Sequence, residues 1–138
     1  MKAVILYGSA NDKPFMEPAR DYFNHHQIAF EEHVLSAHRD TDALLAWLKD
    51  FEAQGAKGVI LAVAGLSAAL PGLVAVKTSA PVIGVPVPGG PLSGVDALLS
   101  IVQCPGGVPC TSVGLHKKAP HNAAMAVHKI LRLAGAAD

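Results

Sequence analysis

Short apolar runs alternate along this chain with stretches of helical periodicity, and that alternation limits the fold more than any other feature. Ala3-Val4-Ile5-Leu6-Tyr7 is a continuous apolar run without polar alternation, the pattern of a strand buried on both faces. Residues Ile28 to Leu35, Gly58 to Val63, Pro81 to Pro86 and Val108 to Val113 read as four more strands. A helix from Lys13 to about His26 fits between the first two, with Asp12 as N-cap and Pro14 in its first turn. Asp40 or Thr41 caps a second helix, in which Leu44, Leu45, Leu48 and Phe51 recur at helical spacing and which Gly55 closes. Ser67 to Lys77, Val95 to Val102 and Asn122 to Leu133 complete the set.

Strands that alternate with helices form parallel βαβ units joined by right-handed crossovers. Five such strands predict an α/β fold: a flavodoxin-like three-layer α/β/α sandwich with a five-stranded parallel sheet in the order 2-1-3-4-5. The 138 residues suit one domain, 1–138, without linker or repeat. The Gly/Pro-rich stretch from 86 to 94 is short and lies between core-like segments, so it reads as a site loop.

Composition narrows the partners. Lys plus Arg and Asp plus Glu both number 11, a balance that gives no electrostatic reason to expect nucleic acid or an anionic membrane. No apolar stretch free of Gly and Pro is long enough to span a bilayer, and Met1-Lys2 leads directly into the first strand without a secretion signal. Cys104 and Cys110 are too few for a disulfide scaffold. The expectation is a cytoplasmic protein with free thiols. A chain that is 51% hydrophobic and only 16% charged also points to surface covered by sister subunits, a homo-oligomer.

Ser36-Ala37-His38-Arg39 follows the second strand directly. Ligands of open α/β sheets bind outside the carboxyl ends of the strands. Arg39 offers a planar fork of donors for phosphate, and His38 can give or take a proton near neutral pH. Gly8-Ser9-Ala10-Asn11-Asp12 joins the first strand to a helix start, where free backbone N–H groups attract anions and Ser9 and Asn11 add donors. Asp12 either accepts hydrogen bonds from ribose hydroxyls or caps the helix. Neighbouring first and second strands would bring it close to Arg39.

The third strand-end loop contains Gly65-Leu66-Ser67-Ala68-Ala69. Its small residues allow close approach of backbone to a ligand, or tight helix–sheet packing. Residues 93–109, rich in Gly and Pro, suit a rigid lid over the site. Cys104 within them is either a candidate nucleophile or a small buried residue. His25 and His26 fall at a helix end, and His116, His121 and His128 lie near or on the last helix. No His, Cys or carboxylate spacing resembles a metal site, and there is no Walker loop, GxGxxG or GxSxG.

Taken together, these motifs resemble the PurE family of carboxyaminoimidazole ribonucleotide mutases and aminoimidazole ribonucleotide carboxylases over nearly the whole chain. Its GSxSD loop corresponds to Gly8–Asp12, and its SAHR motif to Ser36–Arg39. LPGxxAxxT is intact at Leu70, Pro71, Gly72, Ala75 and Thr78, PVxGVPV from Pro81 to Val87, and LSGVDxLxSIVQ from Leu92 to Gln103. Asn122-Ala123-Ala124 matches the start of its last core helix.

The resemblance implies a ribonucleotide phosphate held by Ser9, Ser36 and Arg39, with Asp12 on the ribose and His38 as the catalytic acid/base. Asn11, Ala37, Gly65, Leu66 and Ser67 complete the implied substrate-binding set. The implied reaction moves a carboxylate from the exocyclic nitrogen of an imidazole to a ring carbon. The implied partners are the ribonucleotide, CO2 or bicarbonate, and sister subunits in an octamer or smaller assembly. No metal or organic cofactor is implied.

Several residues depart from the pattern. Ala69 stands where the family has histidine, Asn11 where it has its second loop serine, Cys104 where it has methionine and Gly106 where it has arginine. The family's long C-terminal arm is expected to be missing beyond Asp138. The third loop and Cys104 also resemble the PurE-like domain of LarB, which carboxylates a nicotinic acid dinucleotide and uses a cysteine in that region. The intact SAHR and LSGVDxLxSIVQ motifs favour the purine enzyme. A divergent paralogue acting on another nucleotide through Cys104, and a non-catalytic nucleotide-binding module suggested by Ala69, are the competing expectations.

Overall fold

The computed structural model describes residues 1–137. Strands β1 (Lys2–Tyr7), β2 (Phe30–Val34), β3 (Gly58–Ala64), β4 (Val82–Pro86) and β5 (Cys110–Ser112) form one parallel sheet. Its order, β2-β1-β3-β4-β5, is the flavodoxin-like order expected from the sequence. Helices α1 (Glu17–His25), α2 (Thr41–Ala53), α3 (Ala69–Lys77), α4 (Val95–Val102) and α5 (Ala119–Leu133) cover both faces.

The period-two alternation of strand side chains divides the core. Ala3, Ile5 and Tyr7 of β1, with Val59, Leu61 and Val63 of β3, pack beneath α1 and α5. Val4, Leu6, Ile60, Ala62 and Ala64 face the other way, onto Leu44, Leu48 and Phe51 of α2 and Leu70 and Val74 of α3. All seven residues of β3 are buried, which explains why its sequence shows no polar alternation. Gly84 in β4 leaves room for α4: a Cβ there would stand 2.6 Å from Ile101 Cγ2. The edge strand β2 is partly exposed and carries Glu31, ion-paired with Lys2, and Glu32, a charged edge that resists pairing with another chain.

Several boundaries differ from the sequence expectation, for local reasons. Asp12 does not cap a helix from Lys13. Ser9 accepts from the Asn11 N–H instead, and two 3₁₀ turns, Ala10–Asp12 and Pro14–Met16, precede α1. Pro18 then lies in the first turn of α1, where its missing N–H is not needed. β2 begins at Phe30 rather than Ile28, because the Ile28 N–H closes the end of α1 on the Phe23 carbonyl at 2.8 Å. α3 begins at Ala69 rather than Ser67, since Leu66 adopts a left-handed backbone that a helix cannot continue. β5 is only three residues, and α5 starts earlier than expected, at Ala119, with Pro120 in its first turn.

Candidate functional site

β1, β2 and β3 end on one side of the sheet, at the point where the strand order reverses between β1 and β3. The loops that leave them line an open cleft of about 540 Å³. The first loop contributes Gly8, Ser9, Asn11 and Asp12, the second Ser36 to Arg39, and the third Ala64 to Ser67 with Ala69 and Leu70. Thus every substrate-binding residue anticipated from the sequence, and His38, lies in the lining of one cleft.

The second loop is a tight turn locked by its own side chains. Ser36 is 6% exposed, and its hydroxyl accepts from the Arg39 N–H at 3.2 Å. Asp40 occupies the N-cap of α2, yet its carboxylate turns back to accept the Ser36 N–H at 3.0 Å. The Asp40 N–H donates to the Ser36 carbonyl at 2.9 Å, and the Thr41 hydroxyl donates to the Ala37 carbonyl at 2.6 Å. Sequence pattern alone marks Asp40 and Thr41 only as helix caps. Their work in the site depends on the direction in which the carboxylate points, which periodicity does not encode.

This arrangement leaves donors unspent. The Ser9 and Ser36 hydroxyls both accept from backbone, and neither donates to another described residue, so each keeps its proton for a ligand. Arg39 reaches across to the first loop, its Nη2 donating to the Gly8 carbonyl at 3.1 Å, which fixes one edge of the guanidinium and leaves other N–H groups free. The His38 side chain is exposed in the cleft and has no hydrogen-bond partner among the described residues. Burial holds the Asp12 carboxyl above its ordinary value against the opposing pull of the Arg39 guanidinium, and the two residues line the same cleft.

A polar network that the sequence did not reveal supports the first loop from below. The fully buried Tyr7 ends β1, and its hydroxyl donates to Glu32 at 2.5 Å. Arg20 donates to the Tyr7 oxygen and to the Lys13 carbonyl, both at 3.0 Å, and pairs with Glu32 at 3.3 Å. Burial, then the Glu32 carboxylate, pushes the Tyr7 phenol far up, so Tyr7 remains a neutral donor.

Not every candidate reaches the cleft. Cys104 follows α4 instead, its thiol 3.7 Å from the Ser100 carbonyl and 3.2 Å from where a Cβ on Gly72 would stand. Its neighbour Cys110 has its thiol pushed up to about 11, by burial and then by Cys104. Residues 93–109, expected as a lid, do not line the cleft either. The loop after β4 supports the site from beside it: the Val87 N–H donates to the Ala64 carbonyl at 3.0 Å, and Val87 packs against Gly65.

A second cleft, of about 560 Å³, lies at the opposite end of β1, between β2 and α2. There Glu31 is already paired with Lys2 and His33, and Trp47 stacks on Phe51, so the polar and aromatic groups are mostly engaged with one another. No group of three or more His, Cys, Asp or Glu among the described residues is arranged to hold a metal ion, and no helix among them is long and apolar enough to cross a membrane.

The fold is doubly wound α/β, and at its switch point it gathers free hydroxyls, a guanidinium and an unengaged imidazole in one cleft. The family model described as AIR carboxylase matches residues 2–137, and the chain belongs to that family. It is 43% identical over 130 residues to the N5-carboxyaminoimidazole ribonucleotide mutase of Saccharolobus solfataricus, covering 94% of this chain and 80% of that protein. The Bacillus subtilis protein of the same name is 42% identical over 127 residues, covering 92% of this chain and 78% of its own. The crystal structure of Treponema denticola PurE superposes with a TM-score of 0.85 at 27% identity, covering 95% of this chain and 80% of that one.

Proposed function

We propose that this protein interconverts carboxylated forms of aminoimidazole ribonucleotide in purine biosynthesis, as an N5-carboxyaminoimidazole ribonucleotide mutase. The observation that carries the reading is His38, unpartnered in the cleft and fixed in a turn with the unspent Ser36 hydroxyl and the Arg39 fork.

In this reading Arg39, Ser9 and Ser36 bind the phosphate, with charge-assisted hydrogen bonds from the guanidinium. Asp12 accepts from the ribose hydroxyls. Protonated His38 gives its proton to the exocyclic nitrogen as the carbamate N–C bond breaks and CO2 leaves. The ring carbon then attacks CO2, forming the new C–C bond. Neutral His38 removes the proton from that carbon, which restores the aromatic ring and the imidazolium. Substrate and product are isomers, and the histidine ends as it began. The walls of the third loop hold CO2 beside the ring and keep water away.

The same pocket serves a carboxylase or decarboxylase that exchanges CO2 with solution. Cytoplasmic location and a homo-oligomer fit this role, and the apolar stripe Val95, Leu99 and Val102 on α4 supports assembly. Placing the Cys104 thiol outside the cleft weighs against chemistry through it.

The test is turnover of N5-carboxyaminoimidazole ribonucleotide followed by NMR without ATP. Interconversion with the C4-carboxylated isomer is the expected result. Conversion only to or from the uncarboxylated ribonucleotide would assign a carboxylase or decarboxylase. No reaction with any isomer would refute the proposal.

A further inference from the structure

Among the described residues, four that are not glycine have a left-handed backbone: Gln27, Ala56, Leu66 and Ser93. Gln27 and Ala56 sit where left-handed residues ordinarily close helices. The Ile28 N–H reaches back to the Phe23 carbonyl and the Ala56 N–H to the Phe51 carbonyl. Ser93 precedes Gly94 in the turn that enters α4. Leu66 is the one of the four that lines the ligand cleft.

Its position is doubly unfavourable. With φ at 54°, any side chain is strained and glycine would not be. The side chain is also 56% exposed, so burial does not offset the strain. Strain that survives at a ligand site is a pointer to function. The Leu66 side chain is seated, not loose: its Cδ2 lies 2.5 Å from where a Cβ on Gly90 would stand, so only bare backbone admits it there.

The cleft is divided by polarity. Ser9, Asp12, Ser36, His38 and Arg39 all come from the first two loops, whereas Ser67 is the single polar side chain of the third. A ribonucleotide whose phosphate and ribose engage the first two loops therefore presents its heterocycle to the third. Leu70 is buried, which leaves Leu66 as the large apolar side chain available to that ring.

We infer that Leu66 is a specificity-determining residue that packs on the face of the heterocycle of the bound ribonucleotide, matching the apolar face of a small planar ring. This rests on the function proposed above. Ligand binding then covers the exposed side chain, which accounts for a leucine at a backbone position suited to glycine.

The test compares wild type with Leu66→Gly, Leu66→Ala and Leu66→Met by ligand-free calorimetry, sedimentation, and KM and kcat for N5-carboxyaminoimidazole ribonucleotide. Leu66→Gly is expected to hold or raise Tm, by up to about 3 °C, because strain is relieved. Its KM should rise about tenfold with kcat within about threefold, as expected for losing part of a leucine's apolar contact. Leu66→Ala should raise KM without the gain in Tm, and Leu66→Met should keep KM within about threefold of wild type. An unchanged KM in Leu66→Gly, with either a lower Tm or an altered subunit assembly, would overturn the inference while the wild-type activity still stands. A wild type that turns over none of the isomers would overturn both this and the reading on which it rests.

Discussion

Residues 36–41 and 64–70 line the same cleft by different means. In the first segment four hydrogen bonds within six residues fix the backbone, and the turn's one buried polar side chain is an acceptor that keeps its own proton. The second segment has no side-chain hydrogen bond within it. It is shaped by small residues, by the Val87 N–H bonded to the Ala64 carbonyl, and by one strained leucine lodged against Gly90. The contrast follows the ligand each side would meet. Charge is stabilised best by dipoles that do not have to reorganise. An uncharged ring needs only a dry surface of the right shape, which packing and glycine positions supply.

The largest break in this contrast comes from His38. His38→Asn keeps a polar group in the turn and removes the proton carrier, so kcat should fall by about a thousandfold or more while Tm stays within a degree or so. A folded mutant with near-normal turnover would show that the imidazole is not the acid/base. Arg39→Ala comes next. Losing the charge-assisted contacts should raise KM by about ten- to a hundredfold with a much smaller change in kcat, and an unaltered substrate affinity would remove Arg39 from the phosphate.

Asp40 gives a smaller and sharper effect, because it touches the turn and not the ligand. Asp40→Ala leaves the Ser36 N–H without its acceptor, and kcat/KM should drop by about three- to tenfold. Asp40→Asn keeps an oxygen at that place and should restore most of the activity. Equal losses in the two variants would mean that the charge of Asp40 matters, rather than the hydrogen bond that shapes the turn.

The sequence made the two halves of the cleft legible to different degrees. Apolar runs and helical periodicity located all five strands and all five helices, because burial on one or two faces leaves a period in the chain. The polar side of the cleft was legible as well: Ser9, Asp12, Ser36, His38 and Arg39 follow strand ends directly, and adjacency of β1 and β2 follows from the topology. What the sequence hid was orientation. Asp40 looked like a helix cap and turned back into the site. Asp12 looked like a cap and left that task to Ser9. Tyr7, Arg20 and Glu32 join across three elements at separations no local pattern links. The Gly/Pro-rich surroundings of Cys104 and the likeness to LarB tie it to a site loop, and the α4 end carries it elsewhere. Leu66 was read among small residues, and its left-handed backbone emerged only in three dimensions.

The smallest expected effect lies outside the cleft and concerns pH. Tyr22 of α1 hydrogen-bonds His128 of α5 at 3.0 Å, and the rings of His26 and His121 gather on the same tyrosine at 4.3 and 5.2 Å. Desolvation first, then the charges of His25, His128 and His121, hold the His26 imidazole below its ordinary value of 6.5. A histidine that binds its proton less readily when folded favours the unfolded chain once that proton is available. The stabilising contribution is thus fully present above about pH 6.5 and declines as pH falls below that value. Glu52, held below its ordinary value of 4.5 by the Thr78 hydroxyl and the Ser79 backbone, loses its contribution only at lower pH, so the two windows separate. Denaturant unfolding followed between pH 7.5 and 5 should show a shallow loss of stability on acidification, and His26→Gln should flatten it. The same slope in His26→Gln would move its origin to another titrating group. Because the cluster lies on α1 and α5, away from all three ligand loops, His26→Gln should leave KM and kcat at neutral pH unchanged, separating the stability of the helical layer from the chemistry of the cleft.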